Sequence, residues 1–221
     1  MIRKFINPNT NQTQLLAVED IRNQEGLAMN MIKNKTVRIV YSDPPWGPIT
    51  EKNWRKDAGV AVYNNNVYYQ LIEQWAELIS HAQGVQHVFC QQSSNQKYRD
   101  IFDGVMARSK RWSLPLVQEW QVFYGTPGRM PCTKPNFLLH FGTGKIDVDP
   151  TGLTGINMAA TVFKGLEITS EDWIFDPCMG IGLTSRLAHL FGANCIGSEL
   201  SEKRLSDCVK WLLKQGYEEH V

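Results

Sequence analysis

The sequence predicts an α/β fold, a mostly parallel sheet with helices on both faces and one antiparallel hairpin at an edge. Three observations predict it. Short apolar runs rich in β-branched residues alternate with longer runs of helical period, as in a parallel sheet. Two strand-like runs, Gln118–Tyr124 and Asn136–Phe141, have no helix between them and read as an antiparallel pair. Two loops carrying Pro or Gly, Asp43-Pro44-Pro45-Trp46 and Asp176-Pro177-Cys178-Met179-Gly180-Ile181-Gly182, each follow a strand-like run.

Residues 10–33 read as a helix, led by Asn9, Thr10 and Asn11, which suit a cap. Thr36 to Tyr41 is the first strand. Residues 47–66, with Gly47, Pro48, Gly59 and the Asn64-Asn65-Asn66 run, read as a long loop, a lid or a binding loop. Tyr68, Leu71, Ile72, Trp75, Leu78 and Ile79 recur at helical spacing, so 67–81 is an amphipathic helix. Val85 to Phe89 is a strand and 95–110 a helix. The hairpin of 118–141 follows, joined by a Gly/Pro/Arg loop over 125–135. Residues 142–154 are irregular, and a short helix near 156–165 leads to the strand Trp173–Phe175. A helix marked by Leu183, Leu187, Leu190 and Phe191, a strand at 194–197 and a helix over 201–215 close the chain.

A chain of 221 residues is read as one domain with ample length for a core. Composition is that of an ordinary soluble protein, at 43% hydrophobic and 20% charged. There is no Arg/Lys-led apolar leader and no apolar run of membrane-spanning length, so a cytoplasmic protein is expected. The five cysteines, Cys90, Cys132, Cys178, Cys195 and Cys208, form no CxxC pair, so reduced thiols and no metal site are expected. The five histidines form no ligand pattern and read as core or surface residues, and Trp75 and Trp173 read as core. A net charge of +1 excludes a strongly basic nucleic-acid binder but leaves local basic faces open. Lys52, Arg55 and Lys56, and Arg129 and Lys134, lie on loops beside the proposed site; the alternative for each cluster is a solvated surface.

Asp43-Pro44-Pro45-Trp46 suits the grip of a flat ring with an exocyclic amine. The indole offers a stacking face. The carboxylate and a proline carbonyl offer two acceptors, on a turn stiffened by fixed φ and lacking backbone N–H groups. The alternative is a rigid turn capped by Asp43. At the second loop, Gly180 and Gly182 let the backbone turn tightly and approach a ligand, and the following helix start favours an anionic group such as a carboxylate. Glu199 ends the next strand roughly twenty residues on, where a carboxylate can accept from both ribose hydroxyls. The GxGxxG fingerprint is incomplete at Ser185 and no GxxxxGK[ST] is present, so the ligand need not carry phosphates. Asp176 is placed either to receive a cationic amine or to cap its turn.

Together these residues resemble the S-adenosylmethionine-dependent amino-methyltransferases. Asp43-Pro44-Pro45-Trp46 matches their catalytic motif, [DNS]PP[YFW]. Asp176 through Thr184 resembles their cofactor loop, DPFxGxGTT, departing at Cys178 and Leu183. Catalytic motif first and cofactor motif last is the permuted order of the beta-class DNA amino-methyltransferases, and the Asp-Pro-Pro-Trp spelling is also similar to the mRNA adenine methyltransferases. The resemblance covers residues 36 to about 212. It implies a Rossmann-like fold with a final antiparallel hairpin and S-adenosyl-L-methionine as cofactor. It implies Asp43, Pro44, Pro45 and Trp46 as catalytic residues, and Asp176, Pro177, Cys178, Gly180, Gly182, Thr184 and Glu199 as cofactor-binding ones. The family's sheet has a further strand after the second cofactor strand; the sequence ends at Val221, so that strand is expected to be absent or supplied by residues 1–8. The target-recognition region, about 142–170, is short, so recognition is expected to rest on 47–66, on a second subunit or homodimer, or to be loose.

The implied reaction is methyl transfer to the exocyclic amine of a nucleobase, adenine N6 in DNA first, with cytosine N4 and RNA adenine as alternatives. Two acceptors on the amine hydrogens expose the nitrogen lone pair, and catalysis is positioning and electrostatic preorganisation. The proton becomes acidic only after transfer, so an aspartate of ordinary pKa suffices. The base must be flipped out or single-stranded. Lys52, Trp54, Arg55, Lys56, Arg129 and Lys134 are the nucleic-acid candidates, with Trp54 and Tyr63 as wedges into a base stack or as loop packing. Rival readings are a non-catalytic nucleic-acid-binding subunit, a methyltransferase acting on a protein amide or small molecule, and a dehydrogenase.

Overall fold

The computed structural model describes residues 1–22, 26–61, 67–109, 112–123 and 135–220. In chain order its elements are β1 (Ile2–Ile6), β2 (Thr13–Val18), α1 (Leu27–Ile32), β3 (Val37–Ser42), α2 (Pro48–Asp57) and α3 (Val67–His81). Then come β4 (His87–Gln92), α4 (Gln96–Arg108), β5 (Leu116–Phe123), β6 (Pro135–Gly142) and α5 (Gly155–Lys164). The last are β7 (Trp173–Asp176), α6 (Leu183–Phe191), β8 (Asn194–Glu199), α7 (Glu202–Lys214) and β9 (Glu218–His220).

Among the described residues these strands form one mixed sheet of nine, in the order β5-β6-β4-β3-β7-β8-β2-β1-β9. The five central strands, β4-β3-β7-β8-β2, run parallel. Antiparallel pairs flank them on both sides: β6 and β5 at one edge, as expected, and β1 and β9 at the other, where the sequence offered at most one strand from residues 1–8. Strand residues alternate between the faces. Val40 and Phe175 pack with α1, α3 and α4, whereas Ile39, Tyr41 and Ile174 pack with α5 and α6. A third cluster seats α7, through Leu205, Cys208, Val209 and Leu212, on Phe5 and Leu16. Trp75 is fully buried in α3 and its indole N–H donates to Ser42 Oγ at 3.1 Å, while Trp173 is half-buried, with the Lys35 ammonium 4.5 Å above its ring. His140 is a core residue stacked on Phe89 (centroids 4.5 Å apart), with its Nε2 3.0 Å from His87 Nδ1.

Two expectations are corrected. Residues 10–33 are not one helix. Asn9 to Asn11 form the turn of the β1–β2 hairpin, in which Asn11 is left-handed (φ 60°) and donates its N–H to the Asn7 carbonyl at 2.8 Å. Residues 13–18 then pair parallel with β8, and only 27–32 are helical. Leu15, Leu16 and Ala17 have fair helix propensity, but sheet pairing with both faces covered overrides it. Residues 47–66 are not all loop: α2 occupies 48–57, with Pro48 at the first helical position, a start signal the loop reading passed over. Residues 62–66, Tyr63 among them, and the hairpin connection 124–134, which holds Arg129, Cys132 and Lys134, lie outside the described residues.

The strand beside β8 therefore does come from the N-terminal part of the chain, but from 13–18 rather than 1–8. Two glutamines seat it. Ser185 Oγ donates to Gln14 Oε1 at 2.7 Å, and Gln14 Nε2 donates to the Ser185 carbonyl at 3.3 Å. Gln12 Nε2 donates to the Ala188 and Ala193 carbonyls at 3.0 and 3.2 Å. These buried amides pin β2 to α6, so they fix where the sheet edge lies relative to the loop before α6. At the outer edge Arg3 makes a two-pronged bond to Glu219 of β9, with both contacts at 2.7 Å. Gln14→Ala should lower unfolding free energy by roughly 1–3 kcal/mol, because the buried Ser185 groups lose their partner; urea unfolding measures it.

Candidate active site

Parallel strands bring their carboxyl ends to one edge of a sheet, where ligands of α/β folds bind. Here β3 runs into Asp43, β7 ends in Asp176 and β8 ends in Glu199, so three carboxylates share that edge. Asp43 is held by its own motif: the Trp46 indole N–H donates to Asp43 Oδ1 at 2.7 Å. Pro44 and Pro45 are buried. Gly47 has extended backbone that any residue adopts, but a Cβ there would meet the Tyr98 ring at 2.8 Å, so the turn can lie against α4 only with glycine.

Asp176 closes the β7 turn. Its Oδ2 accepts from Thr184 Oγ1 at 2.6 Å and its Oδ1 from the Cys178 N–H at 3.0 Å. Thr184 Oγ1 also reaches the Tyr41 carbonyl, at 3.3 Å, which ties α6 to β3. Gly182 caps α6 in the left-handed region (φ 88°), and a Cβ there would meet Cys208 Sγ at 2.4 Å. Glu199 is also engaged: Oε2 accepts from the Gly180 N–H at 2.8 Å and Oε1 from the Ser201 N–H at 2.9 Å. It thus braces the glycine loop against the start of α7.

Burial pushes the Asp43 carboxyl up to about 7; the Trp46 bond opposes this and the charge of Asp176 adds to it. Asp176 is likewise raised to about 7 by burial, against the bonds from Thr184, Cys178 and Ser42 and with the charge of Glu199. An aspartate of ordinary pKa, as the sequence suggested for Asp43, is therefore not what stands here. Glu199 is raised by burial, opposed by the Ser201 N–H, the Arg204 charge and the Gly180 N–H.

Asp43 and Asp176 line a cavity of about 420 Å³, together with Gly180, Thr184, Arg186 and Arg204. Glu199, with Pro45, lines a narrower cleft of about 50 Å³. Trp54 and Cys178 line both spaces. The larger volume falls in the range of small-molecule sites. Two raised carboxylates suit a cationic ligand, and Gly180 (φ 55°) has no atom within 4 Å of where a Cβ would stand, so a ligand can approach its backbone. On these grounds the residues present fit a cationic nucleoside such as S-adenosylmethionine.

The α2 candidates divide. Lys52 and Lys56 are exposed. Trp54 is not a free wedge: it is half-buried in the cavity wall, with the Arg204 guanidinium 4.9 Å over its ring. Arg55 is turned inward, 4% exposed, and bonded to Asp20 Oδ2 at 2.9 Å and to the Ala61 carbonyl at 2.5 Å, which removes it from the surface candidates. Sequence reasoning passed over Tyr41, Gln91, Arg186 and Arg204 and the α5 start (Gly155, Ile156), all of which line the larger cavity. The two arginines stand in the helices that follow the two cofactor-side strand ends, a position inspection of those helices would have flagged. Among the described residues no group of three His, Cys, Asp or Glu can hold a metal, and no helix is long and apolar enough to cross a membrane.

No protein-family model matches the chain, and no curated relative does. Solved structures do. An M1.HpyAVI–SAM complex is 14% identical, with 89% of this chain and 98% of that one covered, at a TM-score of 0.59. TTHA0409 from Thermus thermophilus, complexed with S-adenosyl-L-methionine, is 13% identical, with 91% and 93% covered, at 0.60. PvuII DNA methyltransferase, described as cytosine-N4-specific, is 11% identical, with 89% and 85% covered, at 0.57. At these identities the likeness shows a shared fold.

The acid pair makes stability depend on pH. Both folded values lie above the ordinary 3.8, so the folded state holds more protons than the unfolded chain between about 4 and 7. Stability from this pair is then fully present at the acid end of that window and is lost as pH rises through about 7. Melting temperature, measured without ligand in constant ionic strength, should fall from pH 5 to pH 8, and Asp176→Asn should flatten the fall.

Proposed function

We propose that the chain transfers a methyl group from S-adenosyl-L-methionine to the exocyclic amine of a nucleobase, adenine N6 in DNA. The observation that carries the reading is the placement of Asp43 and Asp176 on one cavity at the carboxyl ends of adjacent parallel strands. It is supported by the fold shared with the M1.HpyAVI–SAM complex.

In this reading Asp176, Pro177, Cys178, Gly180, Gly182 and Thr184 hold the cofactor, with Glu199 toward its ribose. When bound, the cofactor supplies a methyl group on a positively charged sulfur. Asp43 Oδ2 and the Pro44 carbonyl would accept the two amine hydrogens and leave the nitrogen lone pair exposed, so most of the barrier reduction is preorganisation. Pro45 keeps that turn rigid. Trp46, steered by its own bond to Oδ1, offers the stacking face. Once the nitrogen is methylated its proton is acidic, and a carboxyl raised to about 7 is well matched to take it. A base in a duplex reaches this pocket only after flipping. Lys52 and Lys56 on α2 are the proposed backbone contacts, and Arg129 and Lys134 stay candidates. Part of the 142–170 region is spent on the cavity wall, through Gly155 and Ile156, which favours a second subunit or a second copy as the source of target recognition. Cytosine N4 is the second reading, favoured by the fold shared with the PvuII enzyme.

Incubation with labelled S-adenosylmethionine and mixed DNA and RNA, followed by nucleoside mass spectrometry, tests the reading: N6-methyldeoxyadenosine is expected, N4-methyldeoxycytidine selects the second reading, and no methylated base rejects both. Asp43→Ala should abolish transfer, raising the barrier by about 3 kcal/mol or more, while calorimetry finds cofactor affinity nearly unchanged. Replacing Lys52 and Lys56 by Ala should lower the log–log salt slope of DNA binding by about 2 if each touches a phosphate.

A further inference from the structure

The larger cavity is lined by charges of both signs, and one of them has no ion-pair partner among the described residues. Arg186 stands just inside α6, with its N–H bonded to the Gly182 carbonyl at 3.1 Å. Its guanidinium carbon lies 5.4 Å from the centre of the Trp211 ring, which gives the side chain a platform. Its Nε is buried and has no hydrogen-bond partner among the described residues, and Arg186 forms no ion pair among them. Arg204, the other cavity arginine, differs: its charge bears on Glu199 and its guanidinium rests on Trp54. A guanidinium partly withdrawn from water without an anion is costly, and a ligand anion removes that cost.

The start of α6 narrows what the anion is. Unpaired N–H groups and the positive end of the helix favour a negative group there. The side chains that would help are committed elsewhere: the Thr184 hydroxyl to Asp176 and the Ser185 hydroxyl to Gln14, while position 183 is a leucine with no hydroxyl. We propose that Arg186 receives the carboxylate of the cofactor's amino-acid end. The inference rests on the cofactor reading above. Asp176 then serves the cationic amine of the ligand and Arg186 its anion, so the cavity is matched to a zwitterion.

Calorimetry with S-adenosylhomocysteine and with 5′-methylthioadenosine, which lacks the amino-acid end, separates the possibilities. Arg186→Met should weaken S-adenosylhomocysteine by about 10- to 100-fold, the loss of charge-assisted bonds, and leave methylthioadenosine within about twofold. Arg186→Lys should recover part of the loss, and it carries the test if the Met variant melts early. An equal loss on both ligands would assign Arg186 a structural role on Trp211 and overturn the proposal. Unchanged S-adenosylhomocysteine affinity with weakened DNA binding would overturn it in favour of a substrate phosphate. If the wild-type protein binds neither ligand, the cofactor reading itself fails.

Discussion

Two carboxyl groups near one another, Asp176 buried and Asp43 half-buried, are the constraint on which the rest of this site depends. Burial is the main cause that raises both Asp43 and Asp176; the charge of Asp176 adds to it at Asp43, and that of Glu199 adds to it at Asp176. Such a pair is tolerable only where donors are aimed at it. Three segments around the site supply one each: Trp46 from the turn after β3, Thr184 from α6, the Cys178 N–H from the glycine loop. The loop, the helix start and the proline turn are thus mutually fixed by one electrostatic problem. The two reaction roles proposed for the pair, holding a cation and taking a proton, are two ways of relieving it.

The parallel centre of the sheet places these groups, and its outer strand comes from the far end of the chain. β2 pairs with β8 although nearly the whole sequence lies between them, and the buried Gln12 and Gln14 specify the fit through bonds to Ser185, Ala188 and Ala193. A slip of β2 by one residue would turn Gln14 to the opposite face and break its bonds to Ser185.

The central elements were legible from sequence because their signals are local. The apolar stripe from Tyr68 to Ile79 marks α3 with the bounds the structure has, a β-branched run marks β3 and an apolar run marks β7. Both motif loops were legible as strand–turn units. What was not legible depends on remote partners. Thr13 to Val18 looks helical until β8 lies alongside it, and the inward turn of Arg55 depends on Asp20, which is distant in sequence. α2 is a different case, since Pro48 was a local signal given too little weight against the surrounding glycines. The raised pKa of Asp43 could not be read, because what raises it is burial first and then Asp176, both set by the fold.

The sheet's outer boundary has a consequence for the colloidal behaviour of the protein. β9 is three exposed residues, Glu218, Glu219 and His220, laid on β1 and clamped by Arg3. An open strand edge is a template for another molecule's strand; a short, charged one is a poor template. Arg3 holds the Glu219 carboxyl below the usual range, so this guard keeps its charge into mildly acidic solution. Where two such edges meet, the Glu219 carboxylates set like charge against like.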